Sequence, residues 1–258
     1  ASLLAGGLRH GGMRHNRAGT SSYLAMLVVL TSLAFVLPAL IGERGSYTFG
    51  QEVPTVVCTV GVYAFFLVRQ MGVQADDFKE VDERFSRGAD APRDEAGRVE
   101  IRRALVEHRR EIAVRLALLV VMVLPIVLLS HNMAAFLDDL VGRLGAPVAL
   151  AGVLIAMIVF LPESLTSIRA ALGGEVQRVS NLCHGALVST VGLTIPAVLV
   201  IGRLTGQTVI LAESPANLFM LGATMLLSVV TLASPRVSAV HGAVHLVLFF
   251  VYGIVLFS

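Results

Sequence analysis

At 258 residues, with 55% of them hydrophobic and a mean hydropathy of +0.79, the chain is too apolar for a soluble domain and reads as an integral membrane protein. Its formal net charge of +2 leaves no basic excess for nucleic acid, and the charges are segregated along the chain. The two cysteines, Cys58 and Cys183, both lie in apolar runs, which excludes a disulfide framework.

The opening stretch, "ASLLAGGL", has no basic head or cleavage site, so it is not a signal peptide. It resembles the tail of an earlier span, and an N-terminally truncated chain is expected. Seven apolar runs follow, at 23–41, 54–68, 116–130, 147–170, 178–202, 215–232 and 239–257, each predicting a transmembrane helix. Tyr23 and Tyr47 fall near predicted span ends, where ring and hydroxyl would straddle the membrane interface. Pro38, Pro125, Pro162 and Pro196 lie within runs, where neighbouring helices can satisfy the carbonyls they free.

Seven spans fix alternating sides. One side then collects the N-terminal tail, the loop 69–115 and the turns near 171–177 and 233–238, with 17 of the 20 Lys and Arg. The other side has Arg44, Arg143 and Arg203. That bias places the first side in the cytoplasm, and a multi-pass protein of the cell inner membrane is expected. The loop 69–115 is acid-heavy in its first half ("DDFKEVDE", 76–83) and basic in its second ("EIRRALVEHRREIAVR", 100–115). It reads as a solvated connector whose second half is a helix leading into the third span. A cation-sensing segment lacks support, because no EF-hand spacing is present.

Glu163, in "FLPESLTSIRAALGG" (160–174), is the one acid well inside an apolar run. A carboxylate there costs on the order of 3 kcal/mol, so such groups tend to face a cavity and carry function. Pro162 has no N–H, which leaves the carbonyl of Ile158 without its helical partner. That carbonyl, the carboxylate and the hydroxyls of Thr166 and Ser167 form a set of hard oxygen ligands suited to alkali or alkaline-earth cations. Broken helices near the bilayer midplane are how secondary transporters build ion sites. In the next run Asn181, His184, Gly185, Val188, Ser189 and Gly192 share one helix face, small and polar enough to line a cavity or to pack closely. His184 alone reads as a packing histidine. Since Ca²⁺ takes 6–8 oxygens and favours more than one acid, either the ion is monovalent or a second acid lies outside this chain.

"FLPESLTSIRAA", "QRVSNLCHGALVSTVGLTIPAVLVIG" (177–202) and "GAVHLVLFFVYG" (242–253) resemble calcium/proton antiporters of the ChaA and CAX type, in the cation/calcium exchanger superfamily. The resemblance extends to "LLAGGLRHG" and "SSYLAMLVVLTSLAFVLP", and covers most of the chain outside the charged loop. It implies an all-α polytopic fold made of two inverted five-span repeats. Residues 1–68 would be the last part of the first repeat, 69–115 the charged cytoplasmic loop, and 116–258 the complete second repeat. It also implies that Glu163 is the second-repeat glutamate and metal ligand, that Ser189 is a polar ligand position, and that Gly185 is the signature glycine. Here Phe-Leu-Pro-Glu-Ser replaces the family's Gly-Asn-Ala-Ala-Glu-His, and Ala186 stands where serine is common, so Ca²⁺, Na⁺ and K⁺ all stay open as cargo.

The expected function is exchange of a cation for protons across the membrane, with Glu163, Ser189, Gly185, Asn181, Ile158 and Thr166 as the ion and proton site. The partners are cations, protons and the lipid bilayer, with no cofactor and no nucleic acid, and a homo-oligomer is left open. A non-transporting scaffold domain is the alternative. An intramembrane hydrolase is disfavoured, because there is no Gly-x-Ser-x-Gly and no buried acid pair.

Overall fold

The computed structural model describes residues 1–80, 109–147 and 149–257, with several side chains of the helix at 109–143 left aside. The helices are α1 (Ser2–His10), α2 (Arg17–Ile41), α3 (Phe49–Met71), α4 (Arg109–Arg143), α5 (Ala149–Val159), α6 (Leu161–Gly173), α7 (Val176–Thr205), α8 (Pro215–Ala233) and α9 (Ala239–Leu256). Among the described residues there is no strand beyond isolated bridges. Among the described residues five helices, α2, α3, α7, α8 and α9, are long and apolar enough to cross a membrane, and α5 with α6 makes a sixth if the pair is one broken span. The remaining expected run, 116–130, the third in chain order, lies inside the 35-residue α4. Large apolar side chains stay exposed along these helices, such as Val57, Phe65, Phe249 and Phe250. Lipid is the solvent that removes the cost of such surfaces, and the chain is an all-α multi-pass membrane protein.

Local chemistry sets the helix ends. The side chain of Asn16 accepts from Ala18 N and starts α2, and a capping box between Thr48 and Gln51 starts α3. Ser214 accepts from Asn217 N ahead of Pro215 and starts α8. Gly174, with φ of 87°, ends α6 in the left-handed conformation a side chain would strain. Both α2 and α7 contain a π-helical turn, at Ser32–Val36 and Thr190–Thr194, each two residues ahead of a proline, Pro38 and Pro196. The wider turn makes room for a ring that can neither donate nor fit against the preceding carbonyl.

The described residues divide into two compact units. The first holds α1–α3 and α6–α9. In it α1 packs on α6 and α9, α7 on α6 and α2, and α8 on α2 and α9. The α1–α9 approach is backbone to backbone: a Cβ on Gly242 would stand 2.2 Å from Leu4 N. The main apolar core joins Tyr23, Leu27, Leu30 and Ala34 of α2 to Tyr63 and Phe66 of α3 and Val188 and Val191 of α7. Phe78, on a short 3₁₀ turn (Ala75–Phe78) just after α3, folds back onto Tyr23 and Phe66 at centroid distances of 5.1 and 5.9 Å. The second unit is the pair α4 and α5, joined through Gly145 (φ 61°) and packed through Leu137, Val141 and Ala151.

The acid-heavy start of the charged loop is described to Glu80, and the rest, 81–108, lies outside the described residues. Its expected basic helix is visible from Arg109, where it runs into α4. Tyr23 and Tyr47 are buried within the protein. They are 2% and 9% exposed, because Gln70 Nε2 donates to the Tyr23 hydroxyl and Tyr47 donates to the Leu33 carbonyl. A phenol satisfied internally has no need of the headgroup region.

Candidate functional site

The helical path breaks at Phe160, whose φ and ψ of −89° and 8° leave the helix between α5 and α6. Pro162 then lies in the first turn of α6, where its missing N–H has no partner to lose. The break therefore falls two residues before the proline rather than around it. Glu163 follows in that first turn, half-buried, with Oε2 fully buried and no hydrogen-bond partner among the described residues. Ser164 donates to the Phe160 carbonyl at 2.7 Å and Thr166 to the Pro162 carbonyl at 2.8 Å. The Thr166 hydroxyl thus spends its proton inside α6 and keeps its lone pairs for another group. Ile158 stands one helix earlier, on α5, with its side chain 52% exposed.

Ser167, one turn after Glu163, is fully buried and ties three helices together. Its Oγ lies 2.8 Å from Ser2 Oγ on α1 and 3.4 Å from Cys183 Sγ on α7. Reading Ser167 as a ligand oxygen overlooked this joining role, because Ser2 is remote in sequence.

On α7 the predicted face does gather at one place. Asn181, Gly185 and Ser189 line a cavity of about 350 Å³ together with Tyr23, Tyr63, Gln70 and Arg178. Ser189 donates to the Gly185 carbonyl at 2.8 Å and accepts from the Tyr63 hydroxyl at 3.3 Å. Gly185 leaves room for the Tyr23 hydroxyl, which a Cβ would meet at 3.4 Å. Asn181 is held on both sides, donating to the Phe78 carbonyl at 2.7 Å and accepting from Gln177 Nε2 at 3.0 Å. Its amide thus helps fix α7 to the chain that follows α3. His184 stacks on Tyr23 at a centroid distance of 6.1 Å, with Nδ1 bonded to the Ser180 carbonyl.

Glu163, Thr166 and Ile158 are not among the residues lining this cavity. The six predicted residues thus fall into an α7 group around the cavity, a pair on α6 just past the break, and Ile158 on α5. Tyr23, Tyr63 and Gln70 were missed because they come from other helices and carry no periodic signal of their own. The repeated spacing of a hydroxyl residue six positions before proline, Ser32 to Pro38 and Thr190 to Pro196, was the available cue to the π turns. Among the described residues no three of His, Cys, Asp and Glu converge as ligands for a metal.

The sequence profile of the sodium/calcium exchanger protein family matches residues 114–258. The "Putative ionic transporter y4hA" of Sinorhizobium fredii is 33% identical over 252 residues, covering 97% of this chain and 65% of that protein. The "Sodium-potassium/proton antiporter ChaA" of Escherichia coli is 26% identical over 262 residues, covering all of this chain and 67% of that protein. The chain spans about two thirds of the length of these curated relatives. No solved structure matches it. With more than half of its length matched by the profile, the chain belongs to the sodium/calcium exchanger protein family.

Proposed function

We propose that the protein is a cation/proton antiporter of the inner membrane and that Glu163 is the group for which proton and cation compete. The observation that carries this reading is the buried Oε2 of Glu163, without a hydrogen-bond donor among the described residues, in the first turn after a broken helix. A carboxylate oxygen taken from water with no donor must find a proton or a cation to offset its lost hydration. Either ligand serves, and both need the same oxygen, so binding one releases the other. The Thr166 hydroxyl, three residues on, keeps lone pairs for a hard cation. Ser189, Gly185 and Asn181 contribute the polar wall along which the ion passes on α7. Movement of helices about the break gives alternating access.

A relative named for sodium, potassium and proton exchange favours a monovalent cargo, and a single carboxylate fits that choice better than Ca²⁺. Ca²⁺ stays within the reading if a second acid joins the site in the full-length protein.

The test is exchange by the full-length protein in proteoliposomes carrying a pH gradient, with Na⁺, K⁺ or Ca²⁺ added outside. At least one cation should dissipate the gradient, and Glu163→Gln should abolish this while leaving membrane insertion intact. No response to any of the three ions overturns antiport. Full exchange by Glu163→Gln removes that carboxylate from the mechanism.

A further inference from the structure

A second cavity, also about 350 Å³, lies between α8 and α9 beside the π turn of α2. Its polar lining is Glu213, Asn217, Thr224, His245 and Tyr252, with Phe35 of the π turn on one wall. None of these belongs to the site described above. Glu213 stands just before α8, and Asn217 Nδ2 donates to its Oε2 at 2.8 Å. Thr224 lies nine residues past Pro215, roughly 14 Å along the axis at 1.5 Å per residue, near the middle of a 19-residue span. The cavity therefore runs from a carboxylate at a helix end to polar groups at mid-membrane depth. Its mouth is at the end of the first unit that carries Arg44 and Arg203, opposite the base-richer end with Arg14, Arg17, Arg69, Arg178 and Arg236. The cavity beside Ser189, by contrast, contains Gln70 and Arg178, near the ends of α3 and α7 on the base-rich side.

His245 gives this cavity a chemistry. Its Nδ1 lies 2.7 Å from the His241 carbonyl, and a carbonyl only accepts, so Nδ1 carries the hydrogen. In the neutral ring Nε2 is then a bare acceptor, and it has no hydrogen-bond partner among the described residues. An imidazole at this depth whose free nitrogen is unpaired and whose ring lines a cavity is suited to take a proton. The groups that face it are few. Glu213 comes from the start of α8, Tyr252 and His241 from α9 itself, and His184 from α7. The His241 ring is turned away, to Ser234 and Ser238. On α1, the other helix packed against α9, the titratable side chains are Arg9 and His10, and His10 is bonded to the Leu172 carbonyl.

We propose that the α8–α9 cavity is a hydrated path by which protons from the base-poor side reach Nε2 of His245. The inference rests on the exchange reading for the use made of those protons, but the path itself is tested without transport.

The experiment uses the full-length protein in vesicles, with Cys58→Ser and Cys183→Ser as background. Thr224→Cys should react with a membrane-impermeant cationic thiosulfonate, added on the Glu213 side, about tenfold faster than Leu226→Cys, since water and charged reagents are absent from a lipid-facing position. Equal rates at the two positions overturn the path. In the exchange assay His245→Gln should move the pH of half-maximal exchange by about one unit and leave the cation concentration for half-maximal exchange within roughly twofold. An unchanged pH profile overturns the role of His245. Should His245→Gln fail to insert, Glu213→Gln at the mouth gives the same readout. Absence of exchange in the wild type refutes antiport alone, and the thiol labelling then decides the cavity by itself.

Discussion

Tyr63 of α3 and Ser189 of α7 share a 3.3 Å hydrogen bond, and the ring of the same tyrosine covers Gly192, where a Cβ would stand 2.8 Å from Cδ2. One side chain thus sets both the polar wall of the cavity and the spacing of the π turn from α3. Gly192→Ala should force the ring or the helix aside and destabilise the protein by about 1–3 kcal/mol. Tyr63→Phe keeps the packing and should cost only about 1 kcal/mol, the net value of a hydrogen bond. Thermal unfolding of the full-length protein in detergent checks both, and a Gly192→Ala variant as stable as the wild type would refute the close approach.

Gln177 has no exposed surface, and its side chain joins α7 to the segment ahead of α2. Its Oε1 accepts from Asn16 N at 2.9 Å, ahead of α2, and its Nε2 donates to Asn181 Oδ1 at 3.0 Å. Gln177→Ala strands a donor and an acceptor and should lower stability by about 1–3 kcal/mol. Gln177→Glu cannot donate to Asn181 and buries a charge, so it should be at least as harmful. Chemical denaturation in micelles distinguishes this from a neutral surface position, for which no change is expected.

Glu80, the last described residue of the acid-heavy loop start, caps α7. Its Oε2 accepts from Gln177 N at 3.0 Å and Arg178 N at 3.3 Å. A carboxylate at a helix N-terminus also meets the positive end of the dipole. Glu80→Ala should destabilise by about 0.5–2 kcal/mol and speed amide exchange at residues 177 and 178, while Glu80→Gln, which keeps an acceptor, should lose less. Unchanged exchange protection in Glu80→Ala would remove the cap from the account.

His15 supplies a pH dependence from outside the spans. Its ring is buried, Nε2 donates to the Leu232 carbonyl at 2.9 Å, and Nδ1 has no partner among the described residues. Burial holds its pKa below the ordinary 6.5, with the Leu232 hydrogen bond opposing that and Arg17 adding to it. The unfolded chain therefore binds this proton at a higher pH than the folded one. Below about pH 6.5 the difference favours unfolding, so the stabilisation is complete above that value and is lost as pH falls toward the folded pKa. The melting temperature should drop between about pH 7.5 and pH 5.5, and His15→Gln should show a smaller drop. An identical slope in both proteins would exclude His15 as the titrating group.

Much of the architecture was readable along the chain. Apolar runs located α2, α3, α7, α8 and α9, because lipid demands long unbroken stretches of apolar side chains on helices. The pairing of Pro162 with Glu163 marked the place where α5 gives way to α6, although the break lies at Phe160. The one-face rhythm of Asn181, Gly185 and Ser189 marked a cavity wall, since helical periodicity survives whatever the partner helix is. The burial of Tyr23 and Tyr47 was not readable along the chain, because their partners, Gln70 and Leu33, become neighbours only after the chain folds.

The sequence by itself determined which segments are apolar enough to enter a membrane, where the basic residues cluster along the chain, and that one acid lies among apolar neighbours. Those properties depend on composition and local spacing, which each segment carries alone. Only the tertiary structure decided that Glu163 Oε2 is buried with no donor among the described residues, that Gln177 and Glu80 fasten α7, and that His245 looks into a cavity. Each of these depends on which side chains from distant segments fill, or fail to fill, a given space, and no single stretch of sequence encodes its neighbours' positions.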